Sequence, residues 1–258
     1  EIKDEYILIG KKKIPFDYLI ISSGSSYNTP FKEQNVVTAI RGKHLRDFYQ
    51  KLCEAKNVLI IGGGLVGVEL AGEILDKYKE EKEITIVHAK DKLIERNNEK
   101  AVKYAESYLR KKGVKILFGE RVIDIKGKVC YTDKERRICP DLIFLCTGIV
   151  PNYEFMKGSF SSYLNKRNQI KVNKYLQLEG KENIFAIGDV NSVAQEKTAQ
   201  NAERQAASIV KNICALEKGG ELREYESKKT PLVISLGKYN GIFTSQNFTF
   251  SGWIPALM

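Results

Sequence analysis

The amino-acid sequence predicts an α/β protein built around a parallel β-sheet. A wholly apolar run at residues 58–61 and two further strand-like runs at 84–88 and 114–118 alternate with helical patterns at 65–79 and 99–112. Strands that are apolar at every position are typical of a parallel sheet that helices cover on its faces. This alternation of strand and helix within one short stretch of chain is the main support for the fold class.

The other elements follow from the same kinds of pattern. In chain order they are strands over 6–9 and 18–21, a helix over 43–55, an antiparallel meander over 121–140, a buried strand over 141–146, a strand over 184–187, a helix over 198–216, and antiparallel C-terminal strands over 231–236 and 241–250. The last helix has its apolar residues at helical spacing. Turn residues separate the short strands of the meander.

Composition excludes several classes of protein. The 258 residues carry a net charge of +10, with 43% hydrophobic and 29% charged residues, which indicates a folded chain rather than a disordered one. The five cysteines include no C-x-x-C pair and only two histidines occur, so we predict no metal site. The scattered cysteines favour a reducing, cytoplasmic location. The positive charge is spread evenly, and we therefore predict no nucleic-acid partner.

The sharpest motif is a G-x-G-x-x-G pattern at Gly62, Gly64 and Gly67, between a buried strand and a helix. In such turns the first glycine makes the bend, the second lets the backbone approach a diphosphate, and the third allows close packing of helix on strand. The helix start, with Leu65 and Val66, offers N–H groups to the phosphates. The motif predicts a Rossmann-like dinucleotide site, and the alternative is an empty turn of the same shape.

The residues that select the nucleotide are expected about twenty positions beyond this turn, where such sites carry an acid that binds the ribose hydroxyls. This chain has His88 there, and Lys90 follows shortly after it. We therefore predict weak discrimination between NADH and NADPH, with Lys90 near a 2′-phosphate. The alternative is that Lys90 points into water.

Two further motifs indicate a second ligand. Gly188 and Asp189 end a predicted buried strand, at the edge where α/β sheets bind ligands, and the Asp189 carboxylate offers acceptors for a polyol or ribityl chain. Ala199 and Gln200 open the next helix, whose small residues would let a flat ring lie close and whose N-terminal dipole favours a reduced flavin. The alternatives are an ordinary strand-end turn and tight packing of the helix.

Together, in this order and spacing, the motifs resemble the FAD- and NAD(P)H-dependent pyridine nucleotide oxidoreductases. The loop at Gly24 resembles the family's entry into the nucleotide domain, the segment at Gly148 resembles its exit, and the strand ending at Asp189 resembles its second flavin motif. Residues 83–88 and 236–241 are similar to the single-FAD branch that contains the ferroptosis suppressor, an apoptosis-inducing factor homologue associated with mitochondria.

The resemblance implies hydride transfer from NAD(P)H to FAD, followed by electron transfer to a quinone-type acceptor. It implies that Glu69 is the catalytic residue, at the junction of flavin and nicotinamide; the alternative is a surface acid favoured by the helix dipole. Ala199 and Gln200 also resemble the pair that type II NADH dehydrogenases place at the flavin and quinone pocket. The expected cofactor-binding residues are Gly24, Gly62, Gly64, Leu65, Val66, Gly67, His88, Lys90, Gly148, Gly188, Asp189, Ala199 and Gln200.

The resemblance also predicts the domain organisation. An FAD-binding domain over 1–42 and 151–226 is interrupted by an NAD(P)-binding domain over 43–150, and 227–258 begin a C-terminal domain. Because the family carries an earlier glycine motif that this chain lacks, we expect a piece of a longer protein without the N-terminal FAD motif and the C-terminal tail. We expect peripheral contact with a membrane or lipid droplet through that tail. Whether this piece alone holds FAD stays open.

Two alternatives to a quinone reductase stay open as well. One is a ferredoxin- or rubredoxin-type reductase with the same two cofactors, because a basic surface suits an acidic protein partner. The other is a nucleotide-binding module that senses NAD(P)H without turnover.

Overall fold

The computed structural model describes residues 1–27, 38–228, 231–245 and 248–258. The strands are β1 (Tyr6–Ile9), β2 (Lys12–Pro15), β3 (Leu19–Ile21), β4 (Ser25–Ser26), β5 (Asn57–Ile61), β6 (Glu83–His88), β7 (Lys115–Phe118), β8 (Val122–Lys126), β9 (Val129–Thr132), β10 (Arg137–Ile138), β11 (Leu142–Leu145), β12 (Val150–Pro151), β13 (Ile184–Ala186), β14 (Leu232–Ser235), β15 (Gly241–Thr244) and β16 (Thr249–Gly252). The helices are α1 (Thr38–Glu54), α2 (Leu65–Tyr78), α3 (Glu99–Lys111), α4 (Ala199–Leu216) and α5 (Trp253–Ala256).

The chain divides into two compact units. Unit 1 comprises Glu1–Ser26 and Ile149–Lys229, and unit 2 comprises Tyr27–Gly148 and Thr230–Met258. The C-terminal segment thus belongs to the same unit as the glycine motif. The assignment of these segments to FAD-binding, NAD(P)-binding and C-terminal domains stays a prediction, and residues 28–37 of its first segment lie outside the described residues.

Unit 2 is built on a four-stranded parallel sheet, and the predicted α/β class is confirmed. The strand order is β11-β5-β6-β7, with Ile60 level with Phe144 on one side and with Ile86 on the other. The helix α3 covers this sheet with a buried stripe of Ala101, Val102, Ala105 and Leu109. Asn98 caps α3 by accepting the Ala101 N–H at 2.9 Å, which satisfies one of the unpaired donors of the first turn.

Alternation along β5 supplies apolar residues to both faces of the sheet. Val58 and Ile60 pack in the core on the helical side, whereas Leu59 and Ile61 pack with buried Cys130 of β9. The strands β8, β9 and β10 form the predicted antiparallel meander, in the order β10-β9-β8. Two covered faces explain why the strand is apolar at each of these positions.

The C-terminal strands β14, β15 and β16 form an antiparallel sheet of their own. The sequence predicted one strand over 241–250, and this prediction was wrong, because the Ser245 N–H donates to the Phe248 carbonyl oxygen (2.8 Å) and the chain reverses there. Residues 246 and 247 lie outside the described residues. The sheet contacts α2 closely, since a Cβ atom on Gly72 would lie 2.6 Å from the Leu236 Cα atom.

Unit 1 contains the parallel pair β13 and β3, in which Ile184 lies level with Leu19. The hairpin of β1 with β2 and the antiparallel pair of β12 with β4 belong to the same unit. Its core includes Ile21, Met156 and Ile184, and a second cluster joins Ile209 of α4 to Phe185 of β13. Within the described ranges, no helix is long and apolar enough to cross a lipid bilayer.

Candidate functional site

The glycine turn between β5 and α2 contains the three motif glycines, and one of them, Gly64, borders open space. Gly62 has a φ of +113°, and a Cβ atom there would lie 2.2 Å from the Cys146 carbonyl oxygen. A Cβ atom on Gly67 would lie 2.0 Å from the Gly62 carbonyl oxygen. A Cβ atom on Gly64 meets no atom within 4 Å. Gly62 and Gly67 are therefore required by the fold, and Gly64 faces space that a ligand can use.

The start of α2 is an anion site by its backbone. Gly64 is the N-cap, and no side chain of the described structure caps the helix there. The first bond within the helix runs from the Val68 N–H to the Gly64 carbonyl oxygen (3.0 Å), so the N–H groups of Leu65, Val66 and Gly67 precede it. These groups and the positive end of the helix dipole suit a diphosphate.

His88, the last residue of β6, forms a hydrogen bond with this turn. The Gly63 N–H donates to His88 Nδ1 at 3.0 Å, and burial lowers the pKa of the His88 imidazole. Lys90 is half exposed, with its Nζ atom 3.9 Å from a Glu95 carboxylate oxygen. The expected contact of Lys90 with a 2′-phosphate stays a prediction.

Glu69 lies one turn further along α2 and faces the C-terminal sheet. One carboxylate oxygen accepts the Ser235 N–H at 3.3 Å. Burial is the main cause that raises the pKa of Glu69, with Glu73 adding to the rise and the Ser235 hydrogen bond opposing it. The carboxyl group therefore holds a proton more readily than an exposed glutamate does. Its catalytic role stays a prediction.

Gly148 follows β11, two residues after buried Cys146. Gly148 has a φ of +106° and open space around it.

Burial raises the pKa of Cys146 to about 12 and also raises the pKa of Cys130. All five cysteines are free thiols, and the two buried ones are protonated at neutral pH, so they are poor nucleophiles.

In unit 1 the structure brings together the predicted residues Gly24, Gly188 and Asp189. The parallel strands β3 and β13 end side by side, and the Ser25 hydroxyl donates to the Asp189 carboxylate at 2.6 Å. Gly24 and Gly188 both have positive φ angles, +67° and +74°. The loop after one strand thus fixes the carboxylate at the end of its neighbour.

The start of α4 belongs to the same group of loops. Thr198 caps the helix by accepting the Asn201 N–H at 3.3 Å, and Ala199 and Gln200 are exposed in the first turn. Ala202 lies near Gly188, with its Cβ atom 3.6 Å from the position of a Cβ atom on that glycine. Small side chains therefore do let this helix approach the strand end.

Sequence reasoning missed the polar residues that hold this strand end. Gln205, which is 1% exposed, accepts the Gly188 N–H at 2.7 Å and the Asn191 side-chain amide at 2.8 Å. Lys197 donates to the Asn191 carbonyl oxygen at 2.8 Å. The amides of α4 recur on one face of the helix, which was the available signal. Among the described residues, no group of His, Cys, Asp and Glu side chains is placed to hold a metal ion.

Comparison with known proteins places these features in a wider context. The family described as pyridine nucleotide-disulphide oxidoreductase matches residues 2–206. Apoptosis-inducing factor homolog B of Dictyostelium discoideum is 34% identical over 260 residues, which cover 90% of this chain and 67% of that protein. Ferroptosis suppressor protein 1 of Homo sapiens is 31% identical over 257 residues, which cover 94% of this chain and 68% of that protein.

Solved structures share the fold. The water-forming NADH oxidase from Lactobacillus brevis bound to NADH has a TM-score of 0.66 at 23% identity and covers 90% of this chain. The NAD-dependent persulfide reductase from A. fulgidus has a TM-score of 0.67 at 21% identity, with the same coverage of this chain. The chain spans 52% of the first and 44% of the second. Because the sequence identities are below 25%, these likenesses bear on the fold alone.

Proposed function

Because the chain belongs to the pyridine nucleotide-disulphide oxidoreductase family, we propose that the complete protein transfers hydride from NAD(P)H to FAD and passes the electrons to a quinone-type acceptor. The membership confirms the resemblance stated from the motifs, and FAD and NAD(P)H are the cofactors of this family.

The observation that carries the proposal is the open glycine turn of unit 2. Gly64 faces free space and the first N–H groups of α2 follow it, so the turn presents donors and a positive dipole end without a competing side chain. A dinucleotide diphosphate has the charge and the acceptors that this backbone requires. We assign Gly62, Gly64, Leu65, Val66 and Gly67 to binding that diphosphate.

The residues of unit 1 fit the other cofactor. Asp189, fixed by Ser25, presents carboxylate oxygens beside two glycines with positive φ angles, which suits the hydroxyls of a ribityl chain. Ala199 and Gln200 are exposed at the N-terminus of α4, where the dipole favours negative charge on a ring system. When bound, FAD supplies the hydride acceptor and the electron relay, while these residues bind and orient it.

A quinone is the acceptor that we favour. Ala199 and Gln200 have the residue types of the pair that type II NADH dehydrogenases place at the flavin and quinone pocket, and they are exposed here. Disulphide chemistry has less support, because the described cysteines are unpaired and two of them are buried thiols with raised pKa values. The net charge of +10 keeps a ferredoxin-type partner as the second candidate.

The test is an absorbance experiment on the complete protein. We expect flavin bands that bleach when NADH is added and recover on addition of a soluble ubiquinone analogue, with no recovery on addition of ferredoxin. Recovery with ferredoxin alone would replace the quinone by a protein acceptor. A protein that binds NADH but never bleaches a flavin band would instead be a nucleotide sensor.

The cytoplasmic location of the protein stays a prediction.

A further inference from the structure

Gly63 is a glycine that the nucleotide motif does not require, since the motif accepts any residue between its first two glycines. In this structure a Cβ atom on Gly63 would lie 2.4 Å from Leu93 Cδ2 and 3.0 Å from His88 Cγ. Real Cβ atoms essentially never lie within 3.0 Å of another atom, so the side chain of Leu93, which is fully buried, would have to move. The side chains of Leu93 and His88 therefore account for a glycine at position 63.

Both backbone polar groups of Gly63 are held from the same side. Its N–H donates to His88 Nδ1 at 3.0 Å, and its carbonyl oxygen accepts the Ile94 N–H at 2.9 Å. Ile94 is buried and has a φ of +40°, a strained conformation for a β-branched residue that persists only where its surroundings enforce it. His88, Leu93 and Ile94 therefore surround Gly63.

The hydrogen bond determines which nitrogen of His88 carries the hydrogen. Because Nδ1 accepts, the imidazole is neutral and its hydrogen is on Nε2. Nε2 is buried and makes no hydrogen bond to the described residues, although the Lys92 backbone is near enough to raise the pKa. If Nδ1 carried a proton, its N–H would face the Gly63 N–H and neither donor would have an acceptor. The imidazolium would also place a positive charge on a half-buried side chain.

The surrounding charges do not reverse this preference. The charges that act on the His88 pKa are those of Lys90, Asp91 and Glu95, in the loop after β6. Three more charged residues lie on neighbouring elements: Glu120, whose N–H donates to the His88 carbonyl oxygen, its partner Arg136, and Glu106 of α3, which accepts the Leu93 N–H. Burial is the largest influence on the pKa of His88 and lowers it; Glu95 and Asp91 oppose that effect, and Lys90 adds to it. The Glu120 carboxylate is occupied by Thr132 and Arg136.

We propose that His88 is a positioning residue for the dinucleotide, whose neutral imidazole holds Gly63 so that the adjoining turn keeps the shape that binds the diphosphate. The proposal rests on the proposed nucleotide site. Protonation of Nδ1 releases the Gly63 N–H, and binding weakens as the pH falls through the pKa of His88 in the free protein. The sign follows from linkage, because the form that loses the proton is the one that binds.

The test measures the affinity of the 258-residue chain for ADP-ribose by calorimetry from about pH 8 to about pH 5. ADP-ribose carries the diphosphate without the nicotinamide, and its diphosphate keeps its charge over this range. We expect binding about twofold weaker at the pH where half of His88 is protonated, which the NMR signals of the histidine report, and weaker still below it. His88→Asn keeps an acceptor for Gly63 and should bind equally at both ends, whereas His88→Leu should bind weakly throughout. His44→Asn is the matched control with the wild-type profile.

A second measurement reads the hydrogen bond without any ligand. In the His44→Asn variant His88 is the remaining histidine, and its ¹⁵N NMR signals should show the hydrogen on Nε2 at neutral pH. A hydrogen on Nδ1 would overturn the proposal. So would ADP-ribose binding that is constant with pH or tighter in acid, while the nucleotide site itself would stand. No binding at pH 8 would remove the proposed function and this inference together.

Discussion

At the scale of single residues, the three motif glycines have different physical reasons. Gly62 and Gly67 avoid collisions with the chain itself, because an added Cβ atom would overlap carbonyl oxygens of Cys146 and Gly62. Gly64 has ordinary extended backbone, with φ of −76° and ψ of −172°, and open space beside it. The motif alone groups the three residues, but the structure separates two that the fold requires from one that borders open space.

This difference predicts that Gly64→Ala separates binding from stability. The variant should keep the wild-type melting temperature, since its backbone and space tolerate a methyl group, and should bind NADH about tenfold more weakly. Thermal melting and fluorescence titration of the 258-residue chain measure the two effects. Gly67→Ala is the comparison, and its melting temperature should fall strongly. Wild-type affinity in Gly64→Ala would show that the diphosphate does not approach this position.

At the scale of elements, α4 shows how a helix pattern can mislead. Its apolar residues have helical spacing, yet one of them, Val210, is 57% exposed. The buried residues of this helix include the amides Asn201, Gln205 and Asn212. Gln205 and Asn212 accept backbone N–H groups, from Gly188 and Arg223. The helix therefore serves partly to satisfy the backbone of neighbouring loops, which residue hydrophobicity alone does not reveal.

Removal of the Gln205 amide should destabilise unit 1 more than its size suggests. Gln205→Leu leaves the Gly188 N–H and one N–H of the Asn191 amide without an acceptor, while the amide keeps its bond to the Ala186 carbonyl oxygen. Each unpaired buried donor is costly. We expect a loss of about 2–4 kcal/mol in the free energy of unfolding, measured by urea denaturation. Gln200→Leu, on the exposed face of the same helix, should change it by less than about 0.5 kcal/mol. Equal losses would contradict the role assigned to Gln205.

The parallel pairing of β5 and β11 has a charged contact at its start. The Asp141 carboxylate accepts the N–H groups of Asn57 (2.8 Å) and Lys56 (3.0 Å). These hydrogen bonds, that of Asn57 first, lower the pKa of Asp141. A carboxyl group with a lowered pKa in the folded state stabilises the fold above its ordinary range, and the contribution disappears as the pH falls through the folded value.

Asp141→Asn should therefore make the fold less sensitive to acid. The amide keeps an acceptor oxygen without the charge, so the free energy of unfolding should fall less than in the wild type between about pH 6 and about pH 3. Urea denaturation at a series of pH values measures this difference. If both proteins lose stability in parallel, the carboxylate of Asp141 does not contribute through these two bonds.

At the scale of the whole molecule, each unit carries its own part of the proposed chemistry. Unit 2 contains the glycine turn, His88, Glu69 and the C-terminal sheet that Glu69 contacts. Unit 1 contains Gly24, Gly188, Asp189 and the start of α4. The C-terminal strands belong to unit 2, which contains α2, although the segment just before them in the chain belongs to unit 1. Their place in the molecule therefore does not follow from their position in the sequence.

The sequence by itself determined the fold class, the turn with its helix start, the strand ending in Gly188 and Asp189, and the family. These features are read from residues close together in the chain, where apolar periodicity and glycine spacing carry the information. Only the tertiary structure decided the strand order β11-β5-β6-β7, the burial of Gln205 and the bond from Gly63 to His88. Those contacts join residues that are distant in the chain, and packing brings them together without a local pattern that marks the partner.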